Sequence, residues 1–225
     1  QIRKNEVLII HNRNELILPK SEQIQKERYK KGESIRVLVK EVRKTSTGAF
    51  VIVSRSDPKF LSKLFEIEIP EIYDGIIEIK AIAREPGERA KIAVESHDDR
   101  IDAVGACVGM KGVRIHSIVR ELNNENIDVI NYSDEPLTFV TRALAPAKLK
   151  SVQLDKENKR AVVSVEKDQI SLVIGRNGQN VRLASKLVGY DIQIERLGGD
   201  EEYDMDVTEF RVELGGNLIE QLLEE

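Results

Sequence analysis

Two short segments bring glycines, a base and small or flexible residues together at one spacing: Gly109-Met110-Lys111-Gly112 and Gly175-Arg176-Asn177-Gly178. Glycine at both ends of a four-residue corner removes the side chains that would hold a ligand away from the main chain. Where such a corner opens a helix, the first turn offers backbone N–H groups with no partner inside the helix, and the helix dipole adds partial positive charge. The chemistry this permits is anion binding, phosphate above all. The two middle residues are expected to point outward, and each pair holds one base, Lys111 or Arg176.

The flanks support that reading. No acid occurs from Ala103 to Arg120 or from Gln169 to Tyr190, although about one residue in six of the chain is acidic. The first window holds Lys111, Arg114 and Arg120, and the second Arg176, Arg182 and Lys186. Val108, Val113 and Ile115, and in the second copy Ile174 and Val181, are placed to form a floor on which bases rest. Gln179 and Asn180 complete the second candidate set. One Gly-x-x-Gly alone reads more readily as a tight helix–helix turn than as a binding corner. Two copies in the same topological slot, both acid-free, weigh against that.

Other chemistry fares worse. Gly105, Gly109, Lys111 and Gly112 loosely resemble a phosphate-binding loop, but Met110 stands where the glycine before the lysine belongs and Gly112 replaces the hydroxyl residue. Asp98-Asp99 precede a helix and read as its cap. His11, His97 and His116 show no metal-ligand spacing. One cysteine, Cys107, excludes an internal disulfide, fits a reducing compartment and reads as a small buried residue. No run is long and apolar enough for a membrane span, and no signal-peptide pattern is present. The expectation is a cytoplasmic, non-enzymatic protein with no cofactor or metal.

The elements that must position the corners follow from periodicity. Val7–Ile10, Leu16–Leu18, Ile35–Lys40 and Phe50–Val53 read as short strands, with turns at Asn12–Asn14 and at Ser46, Thr47 and Gly48. The stretch from Lys26 to Lys44 has eight bases and three acids, which suits a nucleic-acid surface or an edge protected from aggregation. Asp57-Pro58 then starts a helix with Phe60, Leu61, Leu64 and Phe65 on one face, and Pro70 stops it. Strands at 76–84 and 89–95, helices at 101–108 and 113–122, and a strand at 127–130 follow, in the order α-β-β-α-α-β. The order repeats with a helix at 137–145, strands at 148–154 and 160–166, helices at 170–174 and 179–187, and a strand at 191–195. Pro70 answers to Pro146 and Gly109 to Gly175; proline and glycine are 39 residues apart in the first copy and 29 in the second. Such a repeat means two copies of one small module.

The α-β-β-α-α-β order with Gly-x-x-Gly between its middle helices resembles the prokaryotic-type (type II) KH domain, whose loop holds single-stranded nucleic acid. The β-segment before it resembles an S1-type OB-fold. An OB-fold followed by two KH domains resembles the NusA family of bacterial transcription factors. The matching stretches are Asp57–Leu61, Ile69–Gly75, Arg84–Gly87, Val104–Gly112, Ala143–Ala147 and Ile174–Ser185. The resemblance implies an α+β multi-domain chain: a partial five-stranded OB-fold β-barrel over 1–56, KH domains over 57–133 and 134–197, and an acidic extension over 198–225. Gln1 in place of Met suggests a fragment, with the first OB strand missing. The resemblance also implies binding of nascent single-stranded RNA during elongation, termination and antitermination. RNA polymerase and other antitermination factors are implied partners, the polymerase mainly through a domain absent here. No membrane or DNA-duplex partner is expected. The alternative is an RNA-binding accessory region of an RNA-processing enzyme. The short junction Ser133–Pro136 suggests one RNA track across both grooves.

Net charge divides the same way. The chain totals 35 bases and 39 acids, −4. Residues 200–225 carry one base and ten acids, −9, so the preceding 199 residues carry 34 bases and 29 acids, +5. A mildly basic body suits a polyanion, and the tail would repel it, compete for its surface or serve as a solvated linker.

Overall fold

The computed structural model describes residues 1–45 and 48–196; the Ser46-Thr47 part of the first-domain turn and the acidic extension lie outside the described residues. The chain divides into two compact units, Gln1–Tyr132 and a second beginning at Ser133.

The first unit opens with β1 (Glu6–His11), β2 (Asn14–Pro19), β3 (Leu38–Thr45) and β4 (Gly48–Ser54). They form one sheet in the order β1-β2-β4-β3, antiparallel except for the β2–β4 pairing. Among the described residues β1 and β3 are its outermost strands, and the N-terminal residues fold back along β1 through an Ile2–Val7 bridge. Val7, Leu16, Leu18 and Val53 form its core. The strand expected to begin at Ile35 begins at Leu38. Ile35 and Val37 pack on that core without entering the ladder, and the Arg36 carbonyl accepts from Arg55 instead (2.6 Å).

The first α/β module follows: α1 (Pro58–Glu68), α2 (Pro70–Tyr73), β5 (Ile77–Glu85), β6 (Arg89–Ser96), α3 (Ala103–Val108), α4 (Val113–Glu121) and β7 (Asn126–Asn131). Asp57 caps α1 by accepting from the Lys59 amide, and Pro58 takes the first helical position. Phe60, Leu61, Leu64 and Phe65 face inward, as their spacing requires. Pro70 ends one helix by opening another, because its fixed φ suits a first turn. The cap of α3 is Asp102, which accepts from the Val104 amide, and not Asp98-Asp99. Asp98 turns back to bind Arg100 instead. The sheet order is β5-β6-β7, antiparallel then parallel.

The sheet and the module share one body. Ile24, on the segment between β2 and β3, is buried in the module's core with Phe60, Leu61, Phe65 and Ile92. Arg55 joins Glu27 to Glu121 on α4 (2.5 and 2.9 Å). Arg84 and Glu125 form a fully buried ion pair beneath the same junction.

The second unit repeats the module with α5 (Pro136–Ala143), β8 (Ser151–Asp155), β9 (Arg160–Val165), α6 (Ile170–Ile174), α7 (Gln179–Val188) and β10 (Asp191–Arg196). Its sheet, β10-β9-β8, has the same pairing pattern. Much of the extra length of the first copy lies in its hairpin: β5 and β6 have nine and eight residues, against five and six in β8 and β9.

Candidate nucleic-acid interface

Both glycine corners adopt one backbone. Gly109 and Gly175 have φ/ψ of 74/169 and 72/174, Lys111 and Asn177 have 54/24 and 53/34, and Gly112 and Gly178 have 76/13 and 68/11. Three of four residues therefore lie at positive φ, where a β-carbon is costly and glycine is not. The fourth-residue amide donates to the first-residue carbonyl in each, at 3.0 and 3.2 Å. Each corner ends one helix and begins a longer one, α4 or α7, whose first-turn N–H groups have no partner within the helix.

The middle residues point outward. Met110 is 82% exposed, and Lys111, Arg176 and Asn177 are exposed. Val113 is exposed, while Val108, Ile115, Ile174, Gln179 and Val181 are half-buried beside the corners. Gly105, Gly109, Met110, Val113 and Arg114 line an open groove of about 470 Å³ at the first corner. Gly105 was missing from the candidate set; its only signal was a second glycine four residues before Gly109. Arg120, Arg182 and Lys186 are exposed on the following helices. Among the described residues, no carboxylate is paired with Lys111, Arg120, Arg176 or Lys186. Arg182 donates to the Asn177 carbonyl at 3.0 Å.

Two members of the expected set differ from the rest. Arg114 is committed inward: Nη1 donates to both carboxylate oxygens of Glu71 (3.1 and 3.0 Å) and to the Ala106 carbonyl (2.7 Å). Burial acts to raise the Glu71 pKa, but a backbone hydrogen bond and the Arg114 guanidinium outweigh it and hold the carboxyl below its usual range. Asn180 is 1% exposed, and its amide donates to the carbonyls of Leu172, Val173 and Leu144. An acid-free window hid the first case, because Glu71 enters from 43 residues upstream. The second was hidden because a polar residue is exposed by default.

Other reactive groups are accounted for. Cys107 is fully buried and its thiol is pushed up to about 12, chiefly by burial and then by Glu71. At pH 8 only about one thiol in ten thousand would be ionised. A disulfide exchange reagent is therefore expected to leave the native protein unlabelled and to label it stoichiometrically in urea; rapid labelling of the native state would contradict the burial. His97 lies 3.3 Å from Glu78, with Glu95 beside them. Glu78 and Glu95 are direct cross-strand neighbours, and Lys80 lies 3.3 and 3.5 Å from their carboxylates. That ammonium offsets the like-charge pair.

The family comparison decides what this module pair is. Residues 55–132 match the model for a NusA-like first KH domain, and residues 136–202 that for a NusA-like second KH domain. The chain belongs to the NusA family. It is similar to the transcription termination/antitermination proteins NusA of Thermus thermophilus (50% identical over 192 residues, 85% of this chain and 50% of that protein) and Bacillus subtilis (48% over 181 residues, 80% and 49%). The NusA of Borreliella burgdorferi is 45% identical over 196 residues, 87% of this chain and 41% of that protein. The chain thus spans about half the length, or less, of these NusA relatives. Within it the NusA-type KH domains carry both glycine corners.

Proposed function

We propose that this chain is the RNA-holding part of a bacterial transcription termination and antitermination factor. Its substrate is nascent single-stranded RNA, held at both glycine corners, and it performs no catalytic step. One observation carries the reading: two corners of matching dihedrals present outward side chains and bases free of carboxylate partners among the described residues. Gly109 and Gly112, and Gly175 and Gly178, let the phosphodiester backbone approach the main chain. Lys111, Arg120, Arg176 and Lys186 neutralise phosphates, while Met110, Val113 and Ile115, with Ile174, Gln179 and Val181, meet sugars and bases. Val108 floors the first groove, and Asn177 and Arg182 border the second. The two KH domains occupy 57–133 and 134–197, preceded by an S1-type OB-fold to which the four N-terminal strands belong. RNA polymerase and other antitermination factors are the protein partners, and the cytoplasm is the compartment. No helix of the described residues is long and apolar enough to cross a membrane.

Fluorescence anisotropy with a labelled unstructured RNA tests this. Four bases, each neutralising one phosphate, are expected to give a fall in log K of about 3 for a tenfold rise in salt. The duplex form of the same RNA is expected to bind at least about tenfold more weakly, because its bases are stacked and paired. A flat salt titration, or equal affinity for duplex, overturns the reading.

A further inference from the structure

We propose that Arg114 and Asn180 are positioning residues: each is an internal latch that fixes its glycine corner, and neither is a contact to RNA. The inference rests on the RNA-binding reading for its functional consequence, but the latch itself is a property of the free protein.

The two residues occupy one slot, five positions after the first glycine of each corner. They share no chemistry beyond hydrogen-bond donation, yet they do the same thing. Arg114 donates to the carbonyl of Ala106, three residues before Gly109 (2.7 Å). Asn180 donates to the carbonyl of Leu172, three residues before Gly175 (3.0 Å). These carbonyls lie at the end of α3 and α6, where the helix has run out of its own donors. Each side chain therefore closes the helix on one side of the corner from a helix on the other side.

Each latch also reaches the opening helical segment of its own module. Arg114 binds Glu71 on α2, and Asn180 reaches the Leu144 carbonyl just after α5 (3.4 Å). Three segments are thereby tied at one side chain. The latch explains the first glycine as well. A β-carbon at Gly109 would lie 2.8 Å from Arg114 Cγ, and one at Gly175 would lie 2.7 Å from Asn180 Cβ. The side chain that holds the corner fills the space a larger residue would need. The two latches differ in kind. The first is an ion pair at the rim of the groove. The second is an amide, which carries no net charge into the interior; its Oδ1 is buried with no partner among the described residues.

The test uses the full chain. Arg114→Met keeps the stem beside Gly109 and removes the guanidinium. In the RNA-free protein it is expected to shift the backbone amide resonances of Met110, Lys111 and Gly112, with Arg114→Lys restoring them most of the way. With a short unstructured RNA, affinity is expected to fall about threefold to tenfold, as for one lost supporting hydrogen bond. The slope of log K against log salt is expected to equal that of the parent, whereas a lost phosphate contact lowers it by about 0.7. Asn180→Ala is expected to shift the Arg176 and Asn177 amides in the same way; if it does not fold, Arg114→Met decides alone. Unmoved loop amides, or a slope reduced by about 0.7, overturn the proposal. If the amides move but neither Arg114→Met nor Lys111→Asp changes RNA affinity, the latch stands and the RNA-binding reading fails.

Discussion

Replacing Met110 and Lys111 by Asp, and Arg176 and Asn177 by Asp, in one chain is expected to weaken single-stranded RNA binding by about a hundredfold. Each pair alone is expected to account for about tenfold. Either replacement changes the local charge by three units where the bases have no carboxylate partner among the described residues. Each also puts two carboxylates against the approaching phosphates. The fold has little reason to respond, since all four side chains are exposed and surface changes cost within about 0.5 kcal/mol. Lys111 and Asn177 have φ of 54 and 53, a region Asp tolerates better than most residues. Anisotropy titrations beside thermal melts measure both halves. Parental RNA affinity in the quadruple variant would remove the corners from the binding surface.

Arg84→Met is expected to destabilise the first unit by about 3–5 kcal/mol, the range for breaking a buried ion pair from one side. The Arg84 guanidinium donates to both oxygens of Glu125 (2.7 and 2.9 Å) and to the carbonyls of Arg55 and Asp57 (both 2.9 Å). Removing it leaves a carboxylate and two carbonyls buried without those partners. Glu125 would still accept from the Gly87 amide (2.8 Å), which cannot offset a full charge. Lys63→Met, which breaks an exposed pair with Glu66, is expected to cost no more than about 1 kcal/mol. Urea unfolding of both variants measures the contrast. A loss below about 1 kcal/mol for Arg84→Met would mean that the buried Arg84–Glu125 pair adds little to the stability of the first unit.

The junction between the N-terminal sheet and the KH module shows where pattern reading stops. Asp57-Pro58 and the glycine corners are legible because each acts through the backbone of its immediate neighbours. Ile35 and Val37 alternate as a strand should, yet Arg55, nineteen residues away from Arg36 in sequence, claims the Arg36 carbonyl and the ladder starts at Leu38. Asp98-Asp99 have the composition of a cap, but Asp102 has the position. Local preference names the residues able to do a job, and tertiary geometry chooses among them.

The candidate site divides along the same line. The order of elements, the doubling of the module, the two corners and their acid-free windows were all written in the chain, because helix breaking, turn formation and charge counting depend on residues within a few positions of one another. Which bases face solvent was not. Arg114 and Lys111 look alike in a basic window, but Glu71 folds against one and leaves the other. Asn180 looks like a surface amide until three carbonyls, two from α6 and one from just after α5, converge on it. Desolvation and hydrogen-bond pairing are set by groups tens of residues apart, and only the packed chain brings those together.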